Sequence, residues 1–236
     1  MKAIKSDASH ARLDEQSRHT KADKIIVILK EHCNLKKSNI LDIGTGSGHI
    51  ISDIAKHCKK ATSVDMFDER LIKKGYSFRK VMGEKLPFPN NTFDVVISNH
   101  VLEHVPNQDI HLSEIYRALK KRGILYLATP NRWWWKDPHY QMPFITWLPR
   151  FVASPLFRVI KNKEWDIYSL SYGNIKRRTR RQFFVYNKTL DILQRPDKYH
   201  LDTLKKIQPL LRTIPKPLLW LLNPLMPTYI LILRKR

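Results

Sequence analysis

Between residues 39 and 129, short apolar runs alternate with amphipathic segments, and this alternation predicts an α/β layering. Residues 39–43, 61–65, 79–82, 93–98 and 123–129 read as strands. The run FDVVIS at 93–98 is continuous and β-branched, as a strand buried on both faces should be. Residues 48–58 read as a helix with Ile50, Ile51, Ile54 and Ala55 on one face. Residues 67–74 read as a short helix. Residues 109–121 read as an amphipathic helix, with Ile110, Ser113, Ile115, Ala118 and Leu119 as its inward candidates. Repeated strand–helix–strand units require a parallel sheet with helices on both faces.

The flanks have a different character. Residues 22–32 predict a helix that covers the sheet edge or the mouth of a ligand crevice. Residues 130–173 are rich in Trp, Pro and other aromatics, with little periodicity. A basic run, KRRTRR, occupies 176–181. Residues 188–193 and 201–211 read as helical, and 227–233 ends in TYILIL, a plausible last strand. The longest apolar stretch, 217–233, is interrupted by three prolines and Asn223. A spanning helix needs about 20 mostly apolar residues, so this stretch does not predict one. Lying on a membrane surface stays open.

Composition adds one asymmetry. The 236 residues suffice for one α/β domain with an elaboration. The 43 basic and 21 acidic residues give a net charge of +22. Residues 1–130 hold 22 Lys/Arg against 15 Asp/Glu, a net +7, whereas 131–236 hold 21 against 6, a net +15. The second half therefore favours anionic partners: nucleic acid, acidic lipid or a phosphorylated substrate. A generally basic, solvated surface is the plainer alternative. Cys33 and Cys58 form no metal-ligand cluster, and no metal site is expected; reduced cytosolic thiols read better than a disulfide. The first residues, MKAIKSDASHAR, lack an apolar signal core, so a cytoplasmic location is expected, with peripheral membrane contact left open.

The most specific signal is LDIGTGSG at 41–48, between a predicted strand and a predicted helix. Gly44, Gly46 and Gly48 let the backbone turn sharply and approach a ligand, with Asp42 two residues ahead. The spacing is G-x-G-x-G, a neighbour of the dinucleotide fingerprint. Asp65 ends the second predicted strand, where a carboxylate can accept hydrogen bonds from both ribose hydroxyls of an adenosine ligand. Capping the residues that follow is the alternative role for Asp65.

This order of motifs resembles the class I S-adenosylmethionine-dependent methyltransferases, especially the branch containing quinone-biosynthesis enzymes. LDIGTGSG is similar to their first motif, and SVD to their second-strand acid. EKLPFPNNTFDVVISNHVLEHV (84–105) is similar to their long third signature, and LKKRGILYLATPN (119–131) to the helix-turn-strand after it. The resemblance covers residues 39–131. It implies a Rossmann-like, mostly parallel seven-stranded sheet with helices on both faces and an aromatic, basic C-terminal elaboration. The implied organisation is an N-terminal helical cap (1–38), a cofactor-binding core (39–131) and an acceptor-side insert that completes the sheet (132–236). The implied cofactor is S-adenosyl-L-methionine. Gly44 and Gly46 would face its methionine part, with Gly48 closing the loop. Asp42 would help hold its amino group, and Asp65 its ribose. Met82, Gly83 and Glu84 would flank the adenine, and Ser98 would stand at the end of strand four. Met82 departs from the family's pattern, which commonly has Asp there.

On the acceptor side, Ser98-Asn99-His100 is not the signature of nucleobase amine methyltransferases. His100, His104 and His139 are the base candidates, since histidine titrates near neutral pH. His104 reads as structural support, leaving His100 and His139 as the catalytic candidates. His139 lies in a Trp-rich stretch that serves equally as a packed lid. The leading function is methylation, on oxygen, of a small or lipid- or sugar-linked acceptor. An RNA methyltransferase is the alternative, on the strength of the basic half and KRRTRR beside Phe183, Phe184 and Tyr186. A non-catalytic, cofactor-binding regulatory protein is the third reading.

Overall fold

A computed structural model describes residues 15–201 and 208–236. Seven strands form one sheet: β1 (Asn39–Ile43), β2 (Lys60–Asp65), β3 (Ser77–Lys80), β4 (Phe93–Asn99), β5 (Leu119–Pro130), β6 (Phe183–Asn187) and β7 (Thr228–Lys235). Their order is β3-β2-β1-β4-β5-β7-β6. The first five run parallel, and β7 lies antiparallel between β5 and β6. The helices are α1 (Glu15–Lys30), α2 (His49–Ala55), α3 (Gln108–Ala118), α4 (Arg150–Lys161), α5 (Tyr172–Thr179), α6 (Thr189–Gln194), α7 (Gln208–Thr213) and α8 (Lys216–Leu221).

The apolar runs of the central strands serve two cores, because successive side chains point to opposite faces. Ile40, Val95, Ile97, Ile124 and Tyr126 pack with Ile25 and Leu29 of α1 and with Ile51 and Ile54 of α2. On the other face Leu41, Val96, Leu125 and Leu127 pack with Leu112 and Ile115 of α3 and Ile175 of α5. The Rossmann-like α/β reading holds, with helices on both faces.

Several local expectations need correction. Residues 67–74 are not helical. Their backbone hydrogen bonds go elsewhere: the amides of Leu71 and Ile72 both donate to Ser47 O, at 2.9 and 3.1 Å, tying the segment to the glycine loop. On α3 the inward residues are His111, Leu112, Ile115 and Ala118, whereas Ile110 and Ser113 face water. Asn107 accepts from the Ile110 amide and starts the helix one residue earlier than expected, and the buried set His111, Ile115 and Ala118, with Leu112, keeps the i, i+4, i+7 spacing of one face that excludes Ile110 and Ser113. Of the helix expected at 201–211, residues 202–207 lie outside the described residues, and α7 occupies the end. Strand β6, in a stretch that reads as basic and aromatic, is an addition.

The order of strands fixes where a ligand can sit. The sheet grows one way through β1, β2 and β3 and the other way through β4 and β5, so the crevice opens at the carboxyl ends of β1 and β4. Arg180 and Arg181, the end of the basic run, do not reach that crevice, whereas Arg178 pairs with Asp109 in the first turn of α3. Arg180 and Arg181 precede Phe183, which pairs with Lys235, while the neighbouring Arg234 pairs with Ile124 near the start of β5. They therefore stand at the amino ends of the parallel strands, on the order of 20 Å from the crevice at 3.3 Å per strand residue.

Candidate active site

The glycine loop is built by backbone strain that only glycine relieves cheaply. Gly44, Gly46 and Gly48 all have positive φ, at 78°, 51° and 83°. A Cβ on Gly44 would come within 2.4 Å of Val101 Cγ2, and one on Gly48 within 2.3 Å of Ile72 O. A Cβ on Gly46 would meet nothing within 4 Å. Gly44 and Gly48 thus serve close packing, while Gly46 faces open space. Gly83, with φ of 74°, borders open space in the same way.

Asp65 holds this loop. Its Oδ2 accepts from the Gly46 amide at 2.9 Å and its Oδ1 from Met66 at 2.7 Å. The carboxylate therefore caps the next residue and also grips the loop. Asp42, on β1, is buried, and burial with the nearby Asp65 charge pushes its carboxyl up to about 8. A cation beside Asp42 would favour its ionised form. Met82 is 87% exposed, Glu84 is half-buried and Ser98 is fully buried. Ser98 Oγ lies 3.3 Å from His111 Nε2. Burial drives His111 down to about 4, against the opposing charge of Glu84. Helix α1 closes the flank of the loop: His19 pairs with Asp53 of α2, and Glu15 Oε1 lies 3.7 Å from His49 Nε2, next to the glycines.

The acceptor side centres on a residue that the sequence reading passed over. Glu103 lies in a tight turn after β4 and is fully buried. Its Oε1 is 3.3 Å from His100 Nδ1 and 3.6 Å from His139 Nε2, and Thr129 Oγ1 donates to its Oε2 at 3.1 Å. Burial alone would raise this carboxyl, but the two imidazoles hold it down at about 2. In return His139 is raised: burial opposes its charge, and Glu103, Asp137 and Asp166 outweigh that. The two histidines are thus brought together although 39 positions apart in sequence. His100 has a φ of 58° where the chain leaves β4, and its amide donates to Ala128 O of β5 at 2.8 Å. Asp137 Oδ2 accepts from the amides of His139 and Tyr140, fixing the second histidine.

His104 is exposed, and its ring meets that of His139 edge-on at 4.6 Å. Glu103, His104 and His139 bring one ligand-type atom each within 4.8 Å of the others, a set able to take a divalent cation. No metal site was expected from the sequence, because the third member comes from a distant segment. A lone Glu between Leu102 and His104, flanked by apolar residues, was the available signal for Glu103. Val101, one residue past His100, is the side chain that abuts Gly44, so the histidine cluster and the glycine loop share the crevice.

The chain is similar to known methyltransferases over its central part. Residues 41–127 match the family described as a methyltransferase domain. A sterol 4-C-methyltransferase of Caenorhabditis elegans is 34% identical over 113 residues, covering 43% of this chain and 32% of that protein. A ubiquinone biosynthesis O-methyltransferase of Bartonella bacilliformis is 28% identical over 104 residues, covering 40% of this chain and 42% of that one. The chain therefore spans under half the length of either relative. A solved S-adenosylmethionine-dependent methyltransferase from Mesorhizobium loti shares the fold with a TM-score of 0.58 at 15% identity, over 91% of this chain and 98% of that one.

Proposed function

We propose that this protein, whose residues 41–127 match a methyltransferase domain, is a class I S-adenosylmethionine-dependent enzyme that methylates an oxygen of a small or lipid- or sugar-linked acceptor. The observation that carries the reading is the meeting of two devices in one crevice. A strained glycine loop gripped by Asp65 stands on one side, and two histidines on a buried glutamate stand on the other.

The residues present fit the cofactor. Asp42 would accept from its ammonium group and regain its charge by doing so. Asp65 keeps lone pairs for the ribose hydroxyls beyond the two amides it already accepts from. Gly46 and Gly83 leave room beside the loop, and exposed Met82 can cover the adenine, where a thioether packs well. When bound, the cofactor supplies an activated methyl group on a sulfonium.

The chain's own task is alignment and proton removal. His100 or His139 would take the acceptor hydroxyl's proton as the new O–CH3 bond forms, and Glu103 would stabilise the resulting imidazolium. The aromatic insert after β5 would shelter that step. Arg180 and Arg181, at the far end of the sheet, speak against RNA threading past them into the site. The histidine–glutamate cluster speaks against a purely regulatory protein.

Incubation with radiolabelled cofactor and separate lipid, polysaccharide, small-metabolite and total-RNA fractions tests the reading. Label in a lipid, saccharide or small-metabolite fraction is expected. Label in RNA alone, or in none, would contradict it.

A further inference from the structure

Helix α4 is turned the wrong way for a helix of a water-facing surface. Only Ala153 and Phe157 of its residues are buried. Two rows at four-residue spacing, Phe151–Pro155–Val159 and Val152–Leu156–Ile160, lie side by side and face water. Phe151 is 79% and Val159 84% exposed. An apolar stripe of this width normally faces a core.

The surroundings of the helix show what would cover this face. Phe144 and Trp147, just before it, are exposed and in ring contact at 4.9 Å. Residues 131–166 hold six Lys/Arg and three acids: Asp137, which is buried, Glu164, which pairs with Arg158, and Asp166, which accepts from the Tyr140 hydroxyl. Arg158 and Lys161 edge the apolar rows. A second copy would set two such basic faces against each other, and like charges repel. An anionic lipid bilayer supplies both needs, an apolar layer for the rows and negative head groups for the cations, with tryptophan at the boundary. At about 18 Å, twelve helical residues are too short to cross a bilayer and suited to lying in its interface.

We propose that α4, with Phe144 and Trp147, docks the protein on an anionic membrane surface. The docked helix connects to the site. Its inner residue Phe157 packs on Tyr140 at 4.6 Å, and Tyr140 follows His139, which faces Glu103. Docking thus places the acceptor side of the crevice beside the lipid. The proposal deepens the lipid-linked acceptor reading and rests on it only for its purpose, since docking needs neither cofactor nor acceptor.

The test is co-sedimentation of the full chain with vesicles of phosphatidylcholine, with and without phosphatidylglycerol. Binding to the anionic vesicles is expected, falling at least about tenfold in Phe151→Glu/Val159→Glu, because each buried apolar side chain is worth a tenfold factor or more. The milder Phe151→Ser/Val159→Ser should also weaken binding, and thermal melting of both variants should match the parent. Arg158→Gln/Lys161→Gln should weaken binding to anionic vesicles only. Absence of binding by the parent chain, unchanged binding of the double variants, or a dimer in light scattering that Phe151→Glu/Val159→Glu splits would overturn the proposal. Cofactor affinity, measured by calorimetry, should be the same in these variants, which keeps a failure of docking separate from a failure of the methyltransferase reading.

Discussion

Glu103 is the residue on which the acceptor side depends. A buried carboxylate is costly unless paired, and here two imidazoles provide the pairing. Because Glu103 raises His139, the neutral, base-competent form of His139 accumulates at a higher pH than it would for an ordinary histidine. If His139 is the base, kcat/KM should rise with pH through that raised value. Glu103→Gln removes the charge, so the rising limb should move to lower pH while the plateau falls. A pH–rate profile whose midpoint does not move would make Glu103 a structural residue. Replacing the true base, His100→Ala or His139→Ala, should lower turnover about 10²–10⁴-fold with cofactor affinity intact. Full turnover in both variants would leave alignment alone as the catalytic device. A cation held by Glu103, His104 and His139 is distinguishable in the same assay: a chelator would then abolish turnover, and an added divalent ion would restore it.

At the scale of elements, the loop from β1 to α2 is shaped by contacts that a methyl group would break. Gly44→Ala should lower the melting temperature, through the strain of positive φ and through the clash with Val101. Adding Val101→Ala should recover part of that loss but not all, since the φ strain remains. Equal melting of Gly44→Ala and the parent would mean the loop is laxer than its geometry. This loop and strands β1, β2, β4 and β5 were legible in the sequence because each carries a local signature, glycine spacing or an apolar run with β-branched residues, whereas β3, Ser-Phe-Arg-Lys, has no such run and lies two residues earlier than the expected 79–82. The segment at 67–74 misled because Leu71 and Ile72 spend their amides on Ser47, a tertiary contact without local trace. Helix α4 escaped for a different reason. It lies in a Trp- and Pro-rich stretch of little periodicity, carries Pro155 within it and turns its apolar rows outward, so nothing in the pattern separated it from a packed lid. Glu103 and His139 were out of reach as a pair, because β5 and part of the insert intervene between them.

Across the whole molecule, the end of the basic run stands apart from the chemistry. The crevice opens at the carboxyl ends of β1 and β4, while Arg180 and Arg181 stand at the opposite end of the sheet. These two arginines sit at and just past the end of α5, where cations are favoured by the helix dipole. Arg180→Gln/Arg181→Gln should therefore leave methyl transfer and its salt dependence unchanged; a large loss of turnover would show that the acceptor extends around the sheet. The central claim, that the glycine loop and Asp65 form the cofactor site, is tested most directly by calorimetric titration of S-adenosylmethionine into the parent chain and Asp65→Ala. Losing charge-assisted hydrogen bonds at about 1.5–3 kcal/mol each should weaken binding by roughly tenfold or more. Saturable binding to the parent that weakens by that factor in Asp65→Ala is the expected result; no binding to the parent, or equal affinity in the two, would contradict it.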